Sequence, residues 1–373
     1  MKINNRTVSL QERQKKLRAL LVSKNIDSLF ITDPCNISYV TGYMGSDAWL
    51  LFTHNHAVLY TDLRNSQRAE MEVYGVTISI IDETHAMYWL LKQDIADFGL
   101  SHKTVGIEPN TISLDTYNKL RRTIESKIAL TDGIIEGLRA IKDAYEITAI
   151  KAAAAISVRA FNKVFNWISR EPFFSAVDIQ KNIELFMCEE GAQKTSFSTI
   201  VAAGGKTALP HPPYPDKKKI NSGIILIDFG AYLNGYSSDL TRSFFFGKLT
   251  QKDRKLSDFY AIVYEAQLRA IDSVRPGIHA KEVDGVARRF IESTGCGSYF
   301  THALGHGIGL AVHELPRISK KSETVLQEGM VFSIEPGIYM ETIGGVRLED
   351  MVLVTKKGCE VLTKDALKEQ FIQ

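Results

Sequence analysis

One stretch of this chain leaves little choice of local structure: Ile224-Ile225-Leu226-Ile227-Asp228-Phe229-Gly230, then Asn234-Gly235, then Ser238-Asp239-Leu240-Thr241-Arg242. The β-prone run reads as a strand, and Asn-Gly between two such runs favours a two-residue hairpin turn whose central residues both adopt positive φ. With Asn234 and Gly235 as the turn, Leu233 faces Tyr236 and Gly230 faces Asp239. Asp228 is then the diagonal neighbour of Asp239 on one face, roughly 7 Å away before side-chain reach. Two carboxylates converging at the end of an apolar run raise each other's pKa unless a cation lies between them, and a divalent metal supplies one. Taken alone, the segment also fits a solvated hairpin with two surface aspartates, and a bulge would shift the register.

Two further clusters bear on the choice. Thr301 to Glu314 carries His302, His306 and His313 around Gly305, Gly307 and Gly309. Glycines at alternate positions exclude a regular helix and let the backbone of this loop segment pass close to a ligand. No strand-to-helix dinucleotide context and no phosphate-loop lysine follows. A lone histidine is more often a core or surface residue than a ligand; three in so short a segment shift that balance. The other cluster places Glu335 in Val331-Phe332-Ser333-Ile334-Glu335-Pro336-Gly337 and Glu349 in Gly344-Gly345-Val346-Arg347-Leu348-Glu349-Asp350. Each glutamate sits in an apolar run beside a turn, where a buried carboxylate needs a partner. Strand periodicity puts Arg347 on the face of Glu349, as a clamp on that carboxylate or one half of a structural ion pair.

Four carboxylates and an imidazole, without a thiolate, suit Mn²⁺, Co²⁺, Fe²⁺ or Zn²⁺ in a catalytic centre and disfavour a thiolate-bound structural zinc. Four negative ligands balance two divalent ions, which at about 3.5–4 Å apart can share a water and lower its pKa.

At 373 residues the chain is long enough for two domains, and a net charge of +2 leaves no footprint for nucleic acid or an anionic membrane. Met1 to Lys16 lacks the apolar core of a secretory signal, and no later run is long enough to span a bilayer. Cys35, Cys188, Cys296 and Cys359 lie far apart, as reduced thiols of a cytoplasmic protein do. Ser9 to Glu12 reads as a capping box opening a helix through Leu10, Leu17, Leu20 and Leu21. Short β-type runs at 28–32, 49–53, 57–61, 76–81 and 104–107, with a helix over 84–98, predict an α/β domain over residues 1–133. A turn at Thr131-Asp132-Gly133 precedes one long helix over 135–164, and helices over 175–190, 251–274 and 279–294 follow. Strands that come in hairpins predict an α+β domain with an antiparallel sheet over 134–373.

These five segments, in this order, resemble the M24 metallopeptidases with the pita-bread fold over roughly 135–362, and residues 1 to about 133 are similar to the creatinase-type N-terminal domain. The resemblance implies two metal ions, Mn²⁺ foremost, on Asp228, Asp239, His306, Glu335 and Glu349, with Asp239 and Glu349 bridging and Glu335 accepting the proton of the attacking water. It places His211, His302 and His313 on the substrate side and matches Tyr339 and Arg347 to the proline-specific members. The implied activity is that of an Xaa-Pro aminopeptidase, in which a metal-bridging hydroxide attacks the bond before proline, or of an Xaa-Pro dipeptidase. The implied partners are proline-containing peptides or dipeptides, and the implied assembly is a homodimer. A creatinase-like amidinohydrolase or a binding protein without catalysis is the more distant alternative. One departure is the rigid loop Pro212-Pro213-Tyr214-Pro215 after His211, which bears on substrate entry. Lys217 to Lys219 beyond it read most simply as a solvated run.

Overall fold

The computed structural model describes residues 5–372, and the chain divides into two compact units, Met1–Arg139 and Ala140–Gln373. The first unit is built on a six-stranded sheet. Its order across the sheet is Thr77–Ile81, Ala57–Asp62, Ala48–Thr53, Ser28–Ile31, Thr104–Ile107 and Lys127–Leu130. The Ala48–Thr53 strand runs antiparallel to both of its neighbours, and the remaining pairs are parallel. Lys127–Leu130 was not anticipated: it is a four-residue edge strand with exposed ends, too short and too little alternating to register as a strand.

The first helix, Asn5–Ser23, begins upstream of the expected Ser9. Ser9 and Glu12 therefore lie inside the helix rather than at its cap, although Leu10, Leu17 and Leu21 are buried as the spacing required. The expected helix over 84–98 starts only at Met87, because Asp82 accepts hydrogen bonds from the backbone N–H of Thr84 and His85 and holds that stretch as a turn.

The expected single helix over 135–164 is two, Ile134–Ala140 and Ala144–Ile168. The break is a capping box: the Asp143 side chain accepts from the Glu146 N–H, and Glu146 accepts from the Asp143 N–H. The helices over 175–190, 251–274 and 279–294 appear as Ala176–Glu189, Gln251–Ser273 and Ala280–Ser293.

At the centre of the second unit, Gly223–Phe229 pairs antiparallel with both Ile200–Ala203 and Leu240–Phe246, and Phe371–Ile372 closes the far edge. Both faces of this sheet are covered, which explains its unbroken apolar sequence. Ile225, Ile227, Phe229 and Phe244 pack with Ile156, Phe161 and Ile183 of the Ala144–Ile168 and Ala176–Glu189 helices. Ile224 and Phe245 point the other way, into a core shared with Phe259, Val263, Ala287, Phe332 and Val352. By strand alternation Asp228 lies on the Ile224 face. A second, five-stranded antiparallel sheet runs in the order Glu314–Ile318, Gly305–Gly307, Val331–Ile334, Asp350–Val354 and Cys359–Val361. A separate hairpin joins Gly337–Met340 to Gly344–Arg347.

Candidate metal centre

The Asn-Gly turn does what its chemistry requires. Asn234 has φ 52° and Gly235 φ 92°, Leu233 faces Tyr236, and further along the same hairpin Leu240 faces Phe229 and Thr241 faces Asp228. The register is unbroken between these pairs, so Asp239 lies diagonal to Asp228 as the turn predicted. Gly230, in that gap, is required by space: a Cβ there would collide with the carbonyl oxygen of Ser238 and the hydroxyl of Ser196.

His306 comes from the Gly305–Gly307 strand, second from one edge of the five-stranded sheet, so the glycine-rich segment is strand at this point rather than the loop expected. Gly305 and Gly307 let that strand pass between neighbours so close that a Cβ on either would strike the backbone of Ser333 or Leu315. A bulge between His306 and Gly307 turns the imidazole inward. His306 Nδ1 lies 3.2 Å from the Gly307 carbonyl oxygen, which can only accept, so Nδ1 carries the proton. The Nε2 lone pair is left facing Glu335 Oε1 at 3.3 Å and Asp239 Oδ2 at 3.6 Å. Asp239, His306 and Glu349 each offer a ligand atom within 4.8 Å of the others.

The remaining acids close around this group. Glu349 accepts from Thr241 Oγ1 at 2.7 Å, and Glu335 accepts from Ser333 Oγ at 3.1 Å, an oxygen that in turn accepts from the His306 N–H. Asp228 accepts from Arg347 at 2.5 Å. The Arg347 guanidinium also donates to Thr241 Oγ1, Tyr339 Oη and the Pro210 carbonyl. Arg347 thus clamps Asp228 and not Glu349, contrary to the strand-periodicity expectation. The strand carrying it ends at Arg347, and the next begins at Asp350 in a different sheet, so no common face joins 347 to 349. No local pattern marks Thr241, yet its hydroxyl is what holds Glu349.

Burial, then the charges of Glu349, Asp228 and Glu335, push the Asp239 carboxyl well above the usual carboxylate range. Burial, followed by Glu335 and Asp228, does the same to Glu349. Glu335 is pushed up to about 7, chiefly by burial. Asp239 Oδ1 and Glu349 Oε1 are buried oxygens without a hydrogen-bond partner among the described residues. Four inward carboxylates against one guanidinium leave a charge deficit, and the orphaned oxygens mark where a cation would fill it. Oxygen donors with one imidazole nitrogen therefore fit divalent metal at this place.

The residues expected on the substrate side adjoin this group through His306 and Tyr339. The His313 ring stacks edge-on against His306 with centroids 4.2 Å apart, and burial followed by the neighbouring His306 lowers its pKa. Burial above all holds His302 near a pKa of about 4. Its Nδ1 donates to the Ala303 carbonyl at 2.8 Å, so Nε2 accepts the hydrogen of Tyr339 Oη at 3.1 Å. His211, itself exposed, lies close enough for its charge to act on both His302 and His313.

A dense, cation-deficient set of hard ligands on an antiparallel scaffold defines a metal-dependent hydrolase, and comparison with known proteins makes the class specific. Residues 148–356 match metallopeptidase family M24 and residues 13–141 match the creatinase/prolidase N-terminal domain, so the chain belongs to the M24 metallopeptidases, with a creatinase-type N-terminal domain and a pita-bread catalytic domain. It is 37% identical over 359 residues to the Xaa-Pro dipeptidase of Pyrococcus furiosus, covering 95% of this chain and 98% of that one. The structure matches the Xaa-Pro dipeptidase from Bacillus anthracis with a TM-score of 0.90 at 34% identity, over 97% and 99% of the two chains. It matches the X-Pro aminopeptidase from Thermotoga maritima with a TM-score of 0.87, also at 34% identity, over 96% and 99%. Among the described residues no helix is long and apolar enough to cross a membrane.

Proposed function

We propose that this metallopeptidase cleaves the bond between an N-terminal residue and proline, acting as an Xaa-Pro aminopeptidase on peptides longer than two residues. The observation that carries the reading is the convergence of Asp239, His306 and Glu349 in a chain that matches proline-specific peptidases over nearly its whole length. Strict dipeptidase activity is the second reading, favoured by the names of the Pyrococcus and Bacillus proteins.

In this reading Asp228, Asp239, His306, Glu335 and Glu349 would hold two divalent ions, Mn²⁺ foremost. When bound, such ions supply Lewis acidity, acidifying water and polarising a carbonyl. Glu335, steadied by Ser333, takes the proton released as water attacks the amide. His313 and His211 donate to the developing oxyanion and to the leaving amide nitrogen. His302, kept neutral and of fixed tautomer, borders the site of the proline ring. Arg347 and Tyr339 hold Asp228 and His302 in their relative places. The same reading carries with it a homodimer in the cytoplasm, the former checked by light scattering.

Metal-loaded protein is assayed on an Xaa-Pro tripeptide and the matching dipeptide. Turnover of the tripeptide supports the aminopeptidase, turnover of the dipeptide alone establishes the second reading, and no turnover of either with Mn²⁺, Co²⁺, Fe²⁺ or Zn²⁺ rejects both.

A further inference from the structure

The segment 300–304 carries His302, and its hydrogen bonds come from an unexpected place. It lies between the short turn Gly297–Tyr299 and the strand Gly305–Gly307, outside any sheet ladder, yet Phe300 and Leu304 are buried. The Leu304 carbonyl accepts from the Glu335 N–H at 2.8 Å, and the remaining buried backbone groups need side-chain partners. The Ala280–Ser293 helix provides them through Asp284 and Arg288, one turn apart and both buried. Arg288 holds Asp284 through two bonds of 2.8 Å, Nε to Oδ2 and Nη2 to Oδ1. It also donates from Nη1 to the Phe300 carbonyl at 3.0 Å and from Nη2 to the His302 carbonyl at 2.8 Å. Asp284 Oδ1 accepts from the Leu304 N–H at 3.1 Å.

From this geometry we infer that the Asp284–Arg288 pair is a positioning device for His302, fixing the tautomer and direction of an imidazole it does not touch. The step that links them is the planarity of one peptide unit. The Leu304 N–H and the Ala303 carbonyl belong to the same plane and point oppositely. Asp284 pins the N–H, which aims the carbonyl, and that carbonyl receives the His302 Nδ1 proton at 2.8 Å. Nε2 is then obliged to accept from Tyr339 Oη. Arg288 meanwhile fixes the preceding peptide through the His302 carbonyl, so both peptide planes flanking Ala303 are set from one helix turn. The guanidinium fork is needed because four bonds leave it in fixed directions, and a lysine can replace only one or two of them.

The kinetic part of the test rests on the proposed Xaa-Pro activity; the spectroscopic part does not. In metal-loaded protein, Arg288→Lys and Asp284→Asn are compared with wild type, with His302→Ala and with the double variants Arg288→Lys/His302→Ala and Asp284→Asn/His302→Ala. Nitrogen NMR of labelled histidine, recorded on protein loaded with diamagnetic Zn²⁺, is expected to show His302 protonated on Nδ1 in wild type and exchanging between tautomers in Arg288→Lys, with metal stoichiometry unchanged. The value of kcat/KM on an Xaa-Pro tripeptide should fall about 10-fold in Arg288→Lys, as for other groups that orient a functional imidazole, and not fall further when Arg288→Lys is added to His302→Ala. A His302 signal that keeps its Nδ1 tautomer in both single variants overturns the inference, as does a loss of equal size in the two backgrounds. Should Arg288→Lys fail to fold, Asp284→Asn alone decides through the same two readouts. If wild type turns over no Xaa-Pro peptide the activity proposal fails, and the NMR result still decides this one.

Discussion

Glu349 and Asp350 are adjacent in the chain, both buried, and held in opposite ways. Burial works to raise the Asp350 carboxyl, but Arg242 and Lys368 outweigh it and hold the group below the usual carboxylate range. Arg242 meets Asp350 Oδ1 at 2.8 Å, Lys368 meets Oδ2 at 2.6 Å, and Thr363 donates to Oδ1. Glu349 receives the Thr241 hydroxyl, and the charges of Glu335 and Asp228 act on it more strongly than that of Arg347. One cluster has its cations in place; its neighbour is short of them. A single residue step along the backbone therefore separates a part of the molecule built for stability from a part built to bind.

The largest expected effect tests the incomplete cluster. Asp239→Asn should remove metal binding and reduce peptidase activity by more than about 100-fold, beyond the loss from an outer orienting group, yet leave the metal-free protein at least as stable as wild type because one repelling charge is gone. Calorimetry of both proteins in chelator checks the stability, and a fall in the transition temperature would break the contrast. Asp350→Asn should act in the reverse sense. Leaving Arg242 buried without its carboxylate costs about 3–5 kcal/mol, lowering the transition temperature by roughly 6–20 °C. Partial activity should survive at low temperature.

The two acids also titrate with opposite sign. Glu335 and Glu349 have folded-state pKa values above their unfolded ones, so the metal-free fold binds more protons than the unfolded chain and loses stability as pH rises. For Glu335 that window runs from about 4.5 to about 7. Asp350 has its folded value depressed, so its contribution is present above the ordinary aspartate pKa and lost as pH falls below it. Urea midpoints measured in chelator between pH 4.5 and 7 should decline, and saturating Mn²⁺ should flatten that decline. Metal at 100 times its dissociation constant should add about 2.7 kcal/mol to the unfolding free energy, and so raise the same midpoints, reversibly on chelation. The smallest effect expected is at the exposed pair Lys151–Glu360, where Glu360→Gln should change stability by less than about 1 kcal/mol despite a contact of 2.7 Å.

What the amino-acid sequence discloses about this molecule follows the range of the forces involved. The Asn234-Gly235 register was legible because turn geometry and strand pairing are local, and the candidate ligands stood out because each carboxylate interrupts an apolar run. The amphipathic helices over 175–190, 251–274 and 279–294 came within two residues of their observed ends because capping residues mark them. Ser9 misled because a capping box is only a pattern until the helix is known to start there. The helix break at Asp143 was missed although Asp143 and Glu146 spell a cap, because the alanine-rich run after it masked the signal. The partner of Arg347 was unreadable, since a change of sheet between positions 347 and 350 cancels the alternation on which the expectation stood. Asp284 and Arg288 look in sequence like an ordinary i,i+4 surface pair; only their burial shows the backbone they hold.

The turn at Asn234-Gly235 has a bearing on how chain length can vary here. Between Asp228 and Asp239 the path holds no slack: a two-residue turn, an unbroken register and a glycine at position 230 with no room for a side chain. One inserted residue would swing Asp239 to the opposite face and carry it away from His306 and Glu349. The exposed prolyl stretch after His211 has no such pairing to protect. Insertions and deletions should therefore accumulate at the entrance of this enzyme and be refused at its floor, making the spacing of two acids a sterner marker of descent than their surroundings.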